Sequence, residues 1–359
     1  MKSTIIKKAS ARALNAALNR PFTIASGSHQ SLENALIKLE LADGTIGYGE
    51  AAPAKHITGE GPEEVLKDLR MACEELVGCD AANYHEISCV MREMFPSARC
   101  AVTAIEMALV DALCRYVKMP AWKFFGTKAN KLHTDMTVVI GTPEDALLQA
   151  KQIYARGIRA FKIKVGADEK TDFERVLAVG RAVKACPVYL DANEGFTAAE
   201  MLRFIKEIKK AGVNLAFVEQ PVPRGDWDGL KKVSRLAGVC VGADESVYDI
   251  SDLYRLIKEK AAPAVNIKIM KFGVLGGFEM ARLASANGLR LMIGGMMESA
   301  LAMHCSAHMA SALGCFDFID LDTSFFVKDR IMKGGCLSPK GVYDPALVKA
   351  GIGVVPSEK

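Results

Sequence analysis

A series of charged residues recurs at near-regular intervals in the second half of the chain: the pair Lys162 and Lys164, then Asp191, Glu219, Asp244 and Lys268. Each closes a short apolar run. Their order is lysine, three carboxylates, lysine. Three carboxylates brought to one point repel, and at least one stays protonated unless a cation joins them. Oxygen donors alone suit a hard divalent ion such as Mg2+, which keeps coordination positions open for water or a substrate carboxylate. No histidine or cysteine cluster points to zinc instead. His304 and His308, four apart, share a helix face but lack an acidic third ligand, so they read as packed side chains. An ordinary lysine, with a pKa near ~10.4, is a poor base at neutral pH. Neighbouring positive charge and burial bring it down toward ~7–8. A lysine on each side of a metal-bound carboxylate can remove a proton from one face of a carbon and return one to the other.

These residues need a frame that delivers them to one place. The strand-like runs end at residues 164, 191, 219, 244, 268, 294 and 320, which are 24 to 28 residues apart. Thr137–Ile140 adds an eighth strand at the front. Strands alternating with helices pair in parallel through right-handed crossovers, and eight of them close a barrel. Residues 126–325 are therefore expected to form a barrel whose chemistry sits at the C-terminal strand ends. An open doubly wound sheet would carry a glycine-rich nucleotide loop after its first strand. The nearest text, Gly47-Tyr48-Gly49-Glu50-Ala51-Ala52, runs into Pro53 inside a hairpin and reads as coincidence. Residues 1–125 have another rhythm. Leu32–Leu41 and Thr45–Gly49 flank the turn Ala42-Asp43-Gly44, and Ala101–Val117 carries apolar residues at helical spacing. This is a small α+β unit. Residues 326–359 form a C-terminal segment expected to return onto it.

The bulk composition narrows the partners. The 359 residues are 50% hydrophobic and 25% charged with a net charge of +4, so disorder and fibre are excluded. A charge this small and dispersed gives no reason for a nucleic-acid partner. Apolar stretches fall short of the ~18 residues that would span a membrane, and the N-terminus lacks the apolar run of a signal peptide. A cytoplasmic protein is expected. Its ten cysteines, none in a C-x-x-C pair, read as reduced core residues. The general frequency of symmetric assemblies favours a homo-oligomer.

The combined set Phe161-Lys162-Ile163-Lys164, Asp191-Ala192-Asn193, Val218-Glu219-Gln220-Pro221, Ala243-Asp244-Glu245-Ser246 and Asn266-Ile267-Lys268 resembles the enolase superfamily in its muconate-lactonizing subgroup. The resemblance covers nearly the whole chain. It implies an α/β fold, a modified (β/α)7β barrel of the TIM type with an N-terminal α+β capping domain. It implies one Mg2+ per subunit on Asp191, Glu219 and Asp244, with Lys164 and Lys268 as the acid/base pair. Lys162 would neutralise the substrate carboxylate as an enediolate forms, and Asn193 and Glu245 would support the ligands from behind.

The subgroup hosts muconate cycloisomerisation, o-succinylbenzoate synthesis, N-acylamino acid racemisation and dipeptide epimerisation. Here the eighth strand ends Asp320-Leu321-Asp322, two carboxylates that face one way on an extended chain. They resemble the D-x-D of dipeptide epimerases, which binds a substrate α-ammonium group. Ile57-Thr58-Gly59-Glu60 also looks like the second capping loop of those enzymes. In Ala-Glu epimerases an arginine of the first capping loop meets the glutamate carboxylate. Here that loop, Pro21–His29, has none; Arg20 precedes it, and His29 is its one ionisable group. Ser26 and Ile57 in the two loops, and Met297 and Glu298 after the seventh strand, are expected to contact substrate. The two methionines Met296 and Met297 equally suit core packing. The implied activity is epimerisation of a dipeptide of the L-Ala-X type, with an uncharged X rather than glutamate.

Overall fold

The computed structural model describes residues 3–24 and 27–357. Three antiparallel strands, β1 (Ile6–Ile24), β2 (Gly27–Leu41) and β3 (Ile46–Ala51), form the first sheet in that order. The expected hairpin joins β2 to β3, where Asp43 Oδ1 accepts the Thr45 N–H at 2.9 Å and Gly44 takes a φ of 86°. The β1–β2 ribbon is far longer than its sequence pattern suggests. A register shift between Ala17 and Phe22 bends its tip, which carries Phe22 and His29. The tip is tied to the second layer of the fold by the Ile140 N–H, which donates to the Thr23 carbonyl at 3.2 Å.

The helix Arg99–Tyr116 is buried almost all round, because the sheet lies on one side and the barrel's helices on the other. Strand β3 approaches it closely. A Cβ on Gly49 would stand 1.9 Å from the Ala104 carbonyl oxygen, and one on Gly47 would stand 2.3 Å from that of Ala108. The glycines of the G-x-G-x-x-A text thus serve backbone packing, not phosphate binding.

Past β4 (Leu132–His133), eight parallel strands follow in sequence order. They are β5 (Met136–Val138), β6 (Phe161–Lys164), β7 (Val188–Asp191), β8 (Leu215–Glu219), β9 (Cys240–Ala243), β10 (Ala264–Ile267), β11 (Arg290–Ile293) and β12 (Phe316–Ile319). Each lies within two residues of its expected position. The sheet curls until its ends meet at a seam, where the Asp135 N–H donates to the Ile319 carbonyl at 2.9 Å. The lower interior is filled by Tyr189, Phe217, Met292 and Phe318, with the Phe217 and Phe318 rings 4.3 Å apart. A packed interior leaves the C-terminal rim as the place where polar side chains gather.

The C-terminal segment binds both units. Its strand β13 (Met332–Gly334) pairs with β15 (Val354–Pro356), and β14 (Val342–Tyr343) pairs with β4. The Ala121 N–H donates to the Gly351 carbonyl at 2.8 Å. His304 and His308, on the buried helix Ala300–Leu313, hold this segment. His304 Nε2 accepts the Cys336 N–H at 2.9 Å, and His308 accepts the Trp122 N–H at 3.1 Å while its other nitrogen meets the Ile352 carbonyl at 3.0 Å. Burial lowers their pKa values to about 4 and about 3, so both are neutral. All ten cysteines are unpaired, six of them buried. Among the described residues no helix is long and apolar enough to cross a membrane.

Candidate active site

Asp191 ends β7, Glu219 ends β8 and Asp244 follows β9, so three neighbouring strands deliver three fully buried carboxylates to one rim. Strand register fixes the row: Asp191 lies opposite Glu219, and Glu219 opposite Gly242. Lysines enter from both flanks. Lys164 Nζ donates to Asp191 at 2.6 Å, and Lys268 Nζ to Asp244 at 2.6 Å. Lys162 Nζ lies between, 2.9 Å from Asp191, 2.7 Å from Glu219 and 2.6 Å from Asp320.

A further lysine, unread in the sequence, stands behind the row. Lys271 is fully buried, and its Nζ reaches Asp244 Oδ1 and the Asp244 carbonyl, both at 2.8 Å, and the Val247 carbonyl at 3.1 Å. It fixes the Asp244 carboxylate from the side away from the cavity. Asn266 does the same for Glu219, donating to Oε1 at 2.7 Å. Asn193, at the cavity wall, links Lys164 at 3.2 Å to Glu245 at 3.1 Å.

The electrostatics follow from crowding. Burial alone would raise Asp191 and Asp244, but the lysines outweigh it and both fall below the usual carboxylate range. Glu219 is pushed up to about 7 by burial and by Asp191. Glu245 rises to about 8 through burial, Asp244 and Asp191. Burial lowers Lys268, but Asp244 and Glu219 more than reverse this and keep it a firm ammonium. The residues fit a divalent metal. Every donor is oxygen, and Glu219 Oε2 faces Lys162 without an aligned hydrogen bond. A cation on the three carboxylates would also free Lys164 and Lys268 from them.

Opposite lies a second acidic group. Asp320 and Asp322 come from the end of β12 and are both buried. Asp322 Oδ2 accepts the Thr137 N–H at 2.6 Å, and burial together with Asp320 pushes its pKa up to about 7. Asp135, unread in the sequence, completes the group: one carboxylate oxygen from each of the three lies within 4.8 Å of the others. Its only signal is the spacing Asp135-x-Thr137 across the start of β5, the same two-residue step as Asp320-x-Asp322.

A cavity lies between the two groups. Lys162, Lys164, Lys268, Asp320 and Asp322 form its floor; Phe22, His29, Pro53, His56 and Ile57 cover it from the capping loops. His56 is lowered to about 4 by burial and then by nearby cations, and burial lowers His29 as well. Both imidazoles are therefore neutral at pH 7, their rings 6.5 Å apart. The second capping loop is latched to the barrel. Arg224, held by Glu194 at 2.7 Å, donates to the His56 carbonyl at 3.0 Å, and the Tyr248 hydroxyl donates to the Thr58 carbonyl at 3.0 Å.

Lys162, Lys164, Lys268, Asp320, Asp322, Ile57 and Met297 thus meet at one cavity, with Asp191, Glu219 and Asp244 beneath it. Glu298 does not join them. It is fully buried behind the wall, where its Oε1 accepts the Met296 N–H at 2.8 Å. The tight turn after β11 needs that acceptor, so Met296 and Met297 face the cavity and Glu298 turns away. Arg20 points elsewhere, to Gln152 at 3.4 Å. Ser26 lies outside the described residues.

Residues 8–126 match the mandelate racemase / muconate lactonizing enzyme N-terminal domain, and residues 145–359 match the enolase C-terminal domain-like family. A hydrophobic dipeptide epimerase of Citrifermentans bemidjiense is 42% identical over 359 residues, covering 98% of each chain. An aromatic dipeptide epimerase of Herpetosiphon aurantiacus is 40% identical, over 98% of this chain and 99% of that one. Among solved structures, a dipeptide epimerase from Enterococcus faecalis complexed with Mg and the dipeptide L-Leu-L-Tyr superposes with a TM-score of 0.93. It has 30% identity and covers 99% of each chain. With both halves matched across nearly its full length, this chain belongs to the mandelate racemase / muconate lactonizing enzyme family of the enolase superfamily.

Proposed function

We propose that this protein is a magnesium-dependent dipeptide epimerase that inverts the α-carbon of the C-terminal residue of an L-Ala-X type dipeptide, with X apolar. The observation that carries the reading is the opposition of Lys164 and Lys268 across the row Asp191, Glu219 and Asp244, facing a second acidic group at Asp320 and Asp322. The names of the relatives support the reaction class.

Magnesium on the three carboxylates would anchor the substrate carboxylate and offset the negative charge that builds there as the α-proton leaves. Lys162 places an ammonium beside the same charge. In one direction Lys164 Nζ, in its neutral form, takes the α-proton from one face, and the ammonium of Lys268 returns a proton to the opposite face. The reverse direction exchanges their roles. Asp320 and Asp322 receive the N-terminal ammonium at the other end, which fixes the α-carbon between the two lysines. The side chain of X meets Phe22, Ile57, Met297 and two neutral imidazoles. Burying a carboxylate there without a partner would be costly, whereas burying an apolar or aromatic side chain is favourable.

The test is deuterium incorporation from D2O over a set of L-Ala-L-X dipeptides with Mg2+, read by mass spectrometry. Gain of one mass unit is expected for apolar and aromatic X, and little for Glu or Asp. No exchange with any dipeptide, from protein that binds Mg2+, would discard the reading and favour muconate or a succinylbenzoate precursor.

A further inference from the structure

Asp135 is the least compensated charged side chain near the cavity. It is completely buried, and both of its carboxylate oxygens lack a protein donor. Its position is imposed by the barrel seam. Its N–H donates to the Ile319 carbonyl at 2.9 Å, and the Leu321 N–H donates back to Thr134 Oγ1 at 2.8 Å. This stitching holds the Asp135 side chain against those of Asp320 and Asp322. Neither neighbouring aspartate can donate to it while ionised. Asp322 is engaged with the Thr137 N–H, and Lys162, 2.6 Å from Asp320, is shared with Asp191 and Glu219. Three charges here would face one shared cation, and even a substrate ammonium would leave an excess of negative charge in a buried space.

Resting on the proposed reading of the site, we infer that Asp135 is a positioning residue of the ammonium end: as a neutral carboxylic acid it donates a hydrogen bond to Asp320, aiming that carboxylate at the substrate's N-terminal ammonium. An O–H···O⁻ bond of this kind is short and strong in a buried setting. It gives the otherwise orphaned Asp135 a partner and removes one of the three negative charges from the cluster. The groups that face Asp135 act consistently. Burial, then Asp320 and Asp322, push its pKa well above the carboxylate range, against the opposing pull of Lys162. Tyr189, raised to about 12 by burial and then by Asp135, adds no charge at neutral pH. Asp135 touches no expected substrate atom, since it lies below Thr137 and outside the cavity lining.

The experiment pairs dipeptide kinetics with infrared spectroscopy of the folded holoenzyme. Asp135→Ala removes the donor and should raise KM for the preferred dipeptide about ten-fold or more, with kcat little changed. Asp135→Asn keeps an N–H donor at the same place and should restore KM to within about three-fold of the wild type. The difference spectrum of wild type minus Asp135→Asn should show the carbonyl stretch of one protonated carboxyl group. KM should follow the same pH dependence in the wild type and Asp135→Asn between pH 6 and 9. The inference is overturned if Asn is as damaging as Ala, since the negative charge would then be what matters. It is also overturned if Ala leaves KM unchanged, or if the difference spectrum of wild type minus Asp135→Asn contains no protonated-carboxyl band, since Glu219 and Glu245 contribute equally to both proteins and cancel. A second Mg2+ bound per chain and lost in that variant would make the cluster a cation site instead. If no dipeptide is turned over, the functional reading fails, yet the infrared band still decides the protonation of Asp135. If Asp135→Ala fails to fold, Asp135→Ser takes its place, with the Mg2+-dependent rise in Tm as the check on folding.

Discussion

The cavity has two acidic ends, each built from three buried carboxylates, and they are balanced in different ways. Asp191, Glu219 and Asp244 are met by Lys162, Lys164, Lys268 and Lys271. Asp135, Asp320 and Asp322 are met, among the described residues, by Lys162 alone. The first end is a set of charges that holds together through its own lysines and can exchange them for a metal. The second is a deficit of positive charge that a substrate can fill. A dipeptide carries the matching pattern, a carboxylate at one end and an ammonium at the other. On the proposed reading, specificity for length would follow from the separation of two charge defects rather than from any one contact.

The two ends can be separated experimentally. The largest effect is expected at the lysines. Lys268→Ala and Lys164→Ala should each lower epimerisation by about a thousand-fold or more while leaving the fold intact. In D2O each variant should still exchange the α-proton of one epimer and not the other. Exchange of both epimers by either variant would remove the two-base assignment.

Next comes the metal end as a whole. Chelating the metal should abolish turnover, and adding Mg2+ should raise Tm by several degrees through binding to the folded state. Asp244→Asn should lose most of that rise. The rise should survive in Asp322→Asn, because the ammonium end does not hold the ion. A loss in both would mean the ends are not separate.

Asp322→Asn should instead raise KM for dipeptides about ten-fold with a smaller change in kcat, the signature of lost uniform binding. An N-acetylated dipeptide, which lacks the ammonium, should show no such difference between wild type and variant. An equal KM for the free dipeptide in both proteins would empty the second end of its role.

Smaller still is the effect of the latch. Arg224→Ala frees the His56 carbonyl from the barrel and should raise KM about two- to five-fold by loosening the loop that covers X. Both ends should suffer alike, so KM for dipeptides and for their N-acetylated forms should rise by the same factor.

The mildest effect lies outside both ends and serves as a control for them. His304 and His308 are buried with pKa values of about 4 and about 3, against about 6.5 when unfolded. Below pH 6.5 the unfolded chain binds the protons that the folded chain refuses, so stability falls as pH falls toward 4. Above pH 6.5 the contribution is complete and flat. Each histidine should cost about 1.4 kcal/mol per pH unit in that window. His304→Gln should therefore have a lower plateau and a shallower loss of Tm between pH 6.5 and 5. An unchanged slope would show that another group controls acid unfolding.

How much was legible in advance differs between the ends in the same way. At the metal end each residue closes an apolar run, so strand periodicity announced it, and the family motifs agreed. Lys271 was hidden because a lysine on a short helix looks ordinary until its partners are known, and Asn266, although part of a quoted motif, had no role until Glu219 was found beside it. At the other end Asp320 and Asp322 were visible as a pair, while Asp135 precedes its strand and resembled a loop residue. Glu298 misled for a related reason. A charged residue after a strand end usually faces the mouth, but here the turn's own N–H captured it.

The eight-strand rhythm, the front hairpin and the row of lysine, carboxylates and lysine are written along the chain, because they depend on periodicities of one strand or one strand–helix unit. Which charges share a space is fixed by folding. Asp135 and Asp320 are 185 positions apart, yet the closure of the barrel seam presses them together. Gly47 and Gly49 are glycines because a helix more than fifty residues later passes within contact of their backbone. Periodicity is local and readable along a chain; the burial and neutralisation of charge depend on which distant segments meet.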